Sequence, residues 1–177
     1  PLLARRIDGC ELEDGSLGTD DQFRCKRKGA DGGFATLRWD LRHTEVFDSF
    51  SLAARLSGQL ASQQLSSAEQ FALGGADTVR GYYEGSAAAD HGLLASLEWR
   101  SANLVGWLNR HHPDSPALQD LGELSLLAFV VAGRLQTINP DAGQNRRQPL
   151  LGRGLGVRLA SRSGVNLDLL LAEALKA

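Results

Sequence analysis

Residues 69–100 read EQFALGGADTVRGYYEGSAAADHGLLASLEWR. The end of this stretch alternates: Leu93, Ala95, Leu97 and Trp99 fall on one side, and Ser96, Glu98 and Arg100 on the other. Successive side chains on a strand point to opposite faces, so the pattern predicts a strand with one apolar and one polar surface. The centre is glycine-rich, with Gly74, Gly75, Gly81 and Gly85 around Val79-Arg80-Gly81-Tyr82. Glycine permits backbone shapes and close approaches that other residues resist. The stretch therefore reads as a long folded-back loop between two strands, with Arg80 aimed by its glycine frame at an acceptor.

The same alternation recurs on both sides. Phe34 to His43 places Ala35, Leu37, Trp39 and Leu41 opposite Thr36, Arg38, Asp40 and Arg42. Phe50 to Ala61 places Leu52, Ala54, Leu56 and Leu60 opposite Ser51, Arg55, Ser57 and Gln59. Further strands are predicted over Leu121–Leu135, Leu150–Ser161 and Val165–Ala172. Asn103 to Arg110 reads as a short helix or a strand end, broken by His111-His112-Pro113. Residues 1–33 read as mostly loop, and the basic run Cys25-Lys26-Arg27-Lys28 as a solvated face. The whole is an all-β meander of about six antiparallel strands with alternating long and short connections. That rhythm suits an outer-membrane β-barrel, whose strands need ~9–11 residues each. It also suits a soluble β-sandwich or small barrel with the apolar faces turned inward. The pattern alone leaves both open.

Composition narrows the rest. The 177 residues carry a net charge of −2, which argues against nucleic acid as a partner. No apolar run approaches the ~20 residues of a membrane helix. The chain has no Met and begins with Pro1, so a piece of a longer gene is expected. Cys10 and Cys25 frame an acidic, glycine-containing segment. In an oxidising compartment they would close a loop, stabilising it by roughly 3 kcal/mol; in a reducing one they would stay free thiols. His43, His91, His111 and His112 lack metal-ligand spacing, and no metal, cofactor or catalytic residue is assigned. Gly152-Arg153-Gly154-Leu155-Gly156 superficially matches a dinucleotide fingerprint, but a strand rather than a helix follows it. No phosphate-binding loop or nucleophile elbow is present, so neither a nucleotide nor hydrolytic chemistry is expected.

Taken in order, Phe71-Ala72-Leu73-Gly74-Gly75, Val79-Arg80-Gly81-Tyr82, Asp90-His91-Gly92 and Ser96-Leu97-Glu98-Trp99-Arg100 resemble the hallmark of two-partner secretion transporters. These are the outer-membrane haemolysin secretion/activation proteins (TpsB; ShlB/FhaC/HecB type). Leu56-Ser57-Gly58-Gln59-Leu60-Ala61-Ser62 and Ser67-Ala68-Glu69-Gln70-Phe71 favour this branch over the outer-membrane insertases of the same superfamily. The resemblance is clearest from Phe34 to Gly133.

It implies a transmembrane β-barrel of which this chain is the carboxy-terminal part, with POTRA domains and earlier strands upstream. Residues 1–33 would be an outer loop, and 69–92 the loop that folds into the lumen. The implied function is transport of a large exoprotein across the outer membrane, with lipid around the barrel and with folding of the cargo outside as the energy source. The resemblance also implies that Arg80 pairs with acidic wall residues. Glu98 is the first. The second belongs to a Phe-x-Asp-x-Gly pattern that reads here as Phe129-Val130-Val131-Ala132-Gly133, with Val131 in place of the aspartate. Gly74, Gly75, Val79, Gly81 and Tyr82 would frame the loop, Asp90 and Gly92 would close it, and Phe71, Tyr82 and Tyr83 would pack it. Too few strands remain to close a barrel, so the piece alone is expected to be unstable.

Overall fold

The computed structural model describes residues 6–11, 16–27, 29–30, 32–112 and 120–175. Its body is one antiparallel sheet of six strands in the order β10-β9-β8-β7-β4-β3. The strands are β3 (Thr36–Val46), β4 (Phe50–Ala61), β7 (His91–Ser101), β8 (Leu121–Gln136), β9 (Arg147–Ser161) and β10 (Asn166–Leu175). Two small hairpins complete the β structure: β1 (Arg6–Glu11) with β2 (Leu17–Asp21), and β5 (Phe71–Leu73) with β6 (Ala87–Ala89). Two short helices are α1 (Gln22–Lys26) and α2 (Val105–His111). Among the described residues the sheet is open, with β3 and β10 at its edges.

Registry carries the alternation from strand to strand. Leu41 pairs with Leu56, Leu56 with Ala95, Ala95 with Ala132 and Ala132 with Leu151. Asp40 pairs with Ser57, Ser57 with Leu94, Leu94 with Gly133 and Gly133 with Leu150. One face is thus mainly aliphatic, interrupted by the Arg153–Glu173 ion pair and, towards one end of β3, by His43 and Glu45, and it is uncovered: Leu37, Leu41, Leu56, Leu97, Val130, Leu155, Leu169 and Leu171 are all exposed. A patch of this extent needs lipid or another apolar partner. A soluble sandwich would bury these side chains against a second sheet, and the described residues supply none. Trp39 lies towards one end of the face, and Trp99, near Phe50 at 6.5 Å, towards the other. Their partners on β4, Gly58 and Leu52, are about six residues or ~20 Å apart along the strand. Aromatic girdles bound the apolar band of an outer-membrane barrel in this way.

Residues 62–90 return across the opposite face and bury the core there. Leu73, Val79 and Ala89 pack with Leu94, Phe129, Val131, Leu135 and Leu150. The core therefore sits between loop and sheet.

Three expectations need correction, and one open reading is resolved. The described part of residues 1–33 is not mostly loop. Arg6–Glu11 and Leu17–Asp21 pair as a hairpin, and α1 follows. Their sequence lacks alternation because backbone pairing and a disulfide, rather than an amphipathic face, hold them. The segment 103–110 contains a helix, α2, and not a strand end. Leu104 is at its N-cap, and just before it the Asn103 side-chain oxygen accepts from the Val105 amide at 3.0 Å. The connections do not strictly alternate in length. Turns 47–49 and 162–165 are short, but 102–120 at the same end of the sheet is long because it houses α2. The predicted strand Val165–Ala172 runs from Asn166 to Leu175, the pairing with β9 carrying it past the regular alternation.

The two faces give a direct test. Leu56→Arg puts a charge on the aliphatic face, at a cost of about 2–4 kcal/mol near a bilayer midplane. Thr44→Arg puts the same charge on the loop-side face, opposite Ala53. In the complete protein, Leu56→Arg should sharply reduce the amount of folded, heat-modifiable barrel in membranes and Thr44→Arg should not.

Candidate functional site

The site is the crown of the folded-back loop and the wall beneath it. The β5–β6 hairpin pairs Phe71 with Ala89 and Leu73 with Ala87, which sets the two limbs side by side. Between them Gly74, Gly75 and Gly81 have φ of 110°, 102° and 102°. These values place them in the region that favours glycine. Thr78 locks the turn: its hydroxyl accepts from the Gly74 amide and donates to the Gly74 carbonyl, both at 2.8 Å. The Gly75 amide donates to the Tyr82 carbonyl at 3.1 Å, closing the crown across Val79–Gly81.

That frame directs Arg80 at the sheet. Its Nη2 donates to Glu98 Oε2 at 2.8 Å, and its Nε donates back to the Ala76 carbonyl at 3.2 Å. Its guanidinium carbon lies 4.4 Å from the centre of the Phe129 ring. A cation over an aromatic face contributes about 0.5–2 kcal/mol. Arg100 reaches the other oxygen of Glu98 at 3.4 Å. Glu98 thus joins a loop arginine and a wall arginine, and both partners of the Arg80 pair are about three-quarters shielded from solvent. Beside them lies a recess of about 360 Å3 whose polar lining includes Asp77, Arg80, Glu98, Arg158 and Asp168.

Val131 is almost wholly buried in the apolar cluster beneath the loop. A residue that offers no acceptor stands there, so Arg80 is held by one carboxylate, one backbone carbonyl and one ring. Gly133 admits Leu73 and Val79 against β8: a Cβ there would lie 2.6 Å from Leu73 and 3.1 Å from Val79. Gly152 admits the crown, since a Cβ there would clash with the Arg80 carbonyl oxygen. The glycine run 152–156 is strand, and Gly152, Gly154 and Gly156 share the loop-side face. Gly92 faces the Phe71 ring, and a Cβ there would collide with it. Tyr82 anchors the crown to the far strands. Its hydroxyl donates to the Leu175 carbonyl at 2.9 Å and accepts from the Leu151 amide at 3.5 Å. Tyr83, expected to pack, is 91% exposed; the turn that buries Tyr82 points its neighbour outward.

Other residues grip the loop that sequence reading had placed only on the wet face. Arg55 donates to the Asp77 carbonyl at 3.0 Å while paired with Asp40. Arg38 donates to the Glu69 carbonyl and carboxylate at 2.9 and 3.0 Å. Gln59 donates to the carbonyls of Glu69 and Asp90 at 3.0 and 3.1 Å. Strand parity placed these three on the correct face; it could not show that the loop's carbonyls meet them there.

Arg27 is the larger surprise, because it is not solvated. It pairs with Asp90 at 2.5 Å, and Asp90 is fully buried. Burial alone would raise the Asp90 pKa; hydrogen bonds from Arg27 and from the Leu65 and Ile138 amides outweigh it and hold the carboxyl below its ordinary value. Cys10 and Cys25 are bonded to each other, with Cα atoms 5.0 Å apart.

Gly152→Ala should force the crown off the wall, at an overpacking cost of about 1–3 kcal/mol. Spin labels at Tyr83→Cys, on the exposed crown, and at Thr44→Cys, on the loop-side face of β3, report on this. In the complete protein their distance distribution should be narrow, and it should shift and broaden when Gly152→Ala is added.

The family model for haemolysin secretion/activation proteins of ShlB/FhaC/HecB type matches residues 16–159. No curated protein and no solved structure matches the chain. The match takes in β2, α1, the folded-back loop, Glu98 and most of β9, and so the parts that build the site. The chain therefore belongs to the haemolysin secretion/activation family, the β-barrel transporters of the Gram-negative outer membrane that secrete and activate a partner protein.

Proposed function

We propose that this chain forms part of the wall and the gating loop of a pore that carries one large exoprotein, of haemolysin or adhesin type, to the cell surface. The observation that carries the reading is the contact of Arg80 with Glu98, made by a glycine-framed loop lying along the polar side of a sheet whose other side is aliphatic. On this reading the aliphatic side faces lipid and the polar side lines the conduit. The end bearing residues 6–33 and the root of the loop faces outward, and the end bearing α2 faces the periplasm. The resting pore is obstructed by the loop, and cargo passes along the arginines and acids of β3, β4 and β7. The chemistry is transport: the wall supplies carbonyls, carboxylates and guanidinium groups that bind an extended chain reversibly, and it makes no covalent bond.

One acceptor fewer at Val131 leaves Glu98 as the carboxylate that holds Arg80 at the crown, beside the apolar packing there. Loss of a charge-assisted hydrogen bond costs about 1.5–3 kcal/mol, a large share of such a hold. Glu98→Gln in the complete transporter should therefore broaden the distance distribution between labels at 44 and 83 and change the amount of partner protein reaching the medium by at least several-fold. Unchanged loop position together with unchanged secretion would remove the assignment of Glu98.

A further inference from the structure

The Arg27–Asp90 pair lies at the root of the loop, away from the Arg80 contact, and it is the more completely buried of the two. Arg27 donates to Asp90 Oδ1 at 2.5 Å and Oδ2 at 3.1 Å, to the Leu65 carbonyl at 2.9 Å and to the Ile138 carbonyl at 3.3 Å. Asp90 in turn accepts from the amides of Leu65 at 2.9 Å and Ile138 at 2.7 Å. One guanidinium and one carboxylate thereby join three segments distant in sequence: the α1 end of the amino-terminal hairpin, the start of the loop and the exit of β8. The bidentate geometry requires arginine; a lysine ammonium is a point charge and cannot span four acceptors at fixed angles.

What holds Arg27 in place is also visible. Helix α1 has five residues and no buried side chain. A helix of that length does not stand alone in water. It is tied to β1 by the Cys10–Cys25 bond, and Cys25 lies two residues before Arg27. Beyond it, the Arg27 amide donates to the Phe23 carbonyl, the Ala30 amide donates to the Arg27 carbonyl, and Ala30 is fully buried. Through Arg27 the stapled segment is therefore fastened to the start of the loop, to Asp90 and to the exit of β8.

We propose that Arg27 is a positioning residue that latches the disulfide-stapled cap onto the root of the folded loop, and that this latch, distinct from the Arg80 contact, restrains the loop from leaving the pore. The proposal rests on the gating reading above. The cap acts as a strap: while Arg27 sits in the Asp90 socket, the limbs at 65 and 90 cannot separate from the exit of β8. Removing the staple loosens the helix that presents the arginine, and removing either charge empties or strands the socket.

The test uses the complete transporter in intact cells and two readouts. Trypsin cleavage after Arg24, within α1, reports release of the cap, and entry of a large antibiotic normally excluded by the outer membrane reports an unplugged pore. Arg27→Gln, Asp90→Asn and Cys10→Ser, compared at equal amounts of assembled barrel, should each speed cleavage about tenfold and raise antibiotic entry. Arg27→Lys should be cleaved faster than wild type despite keeping the charge. Glu98→Gln should leave cleavage unchanged whatever it does to secretion, so that failure of the Glu98 assignment and failure of the latch are read separately. Asp90→Asn strands a buried socket; if it does not assemble, Arg27→Gln and Cys10→Ser decide. Cleavage at the wild-type rate in those two overturns the latch. Faster cleavage with antibiotic entry unchanged overturns its restraint on the loop.

Discussion

A guanidinium laid against a wall must find acceptors there, and this requirement shapes the protein around Arg80. The crown reaches the sheet only because Gly152 and Gly133 leave room for it. The arginine points down only because Gly74, Gly75 and Gly81 turn the chain as they do. Glu98 is available only because β7 alternates with its charge on the loop side. Glycine positions, strand register and the ion pair are one constraint seen at three scales. A one-residue slip of β7 would send Glu98 to the aliphatic face and leave Arg80 without its carboxylate.

The sheet answers two solvents at once. Its aliphatic side has no partner among the described residues, and its other side is covered by charged networks and by the loop. Arg55 shared between Asp40 and the Asp77 carbonyl, and Arg38 shared between Gln59 and Glu69, show how the wet side is held. Each of these two arginines satisfies a wall partner and a loop carbonyl together. The loop is thus attached at its root, along its limbs and at its crown.

Local pattern made much of this legible. The alternation over Phe50–Ala61 marks β4 with the bounds the structure gives it, because that strand has one aliphatic and one polar face along its whole length. The glycine frame of 74–81 announced a tight crown, and the parity of Glu98 put it on the arginine's side. Signals without period were lost. The hairpin of β1 and β2 is held by backbone pairing and a disulfide, so its residues show no amphipathic rhythm. Arg27 stands in a run of basic residues that reads as solvated, and its partner is 63 positions away. Tyr82 and Tyr83 are identical letters, and only the geometry of the turn decides which one is buried. Val131 was visible as a departure, but its packing under the loop is a property of the assembled core.

The central claim is that Arg80 and Glu98 act as one unit. Reversing both charges measures this most directly: Arg80→Glu, Glu98→Arg and the double variant are compared for secretion by the complete transporter. A coupling of about 1–3 kcal/mol predicts that each single reversal is severely impaired and that the double variant recovers a substantial part of the lost secretion. A double variant no better than the worse single one would contradict the account.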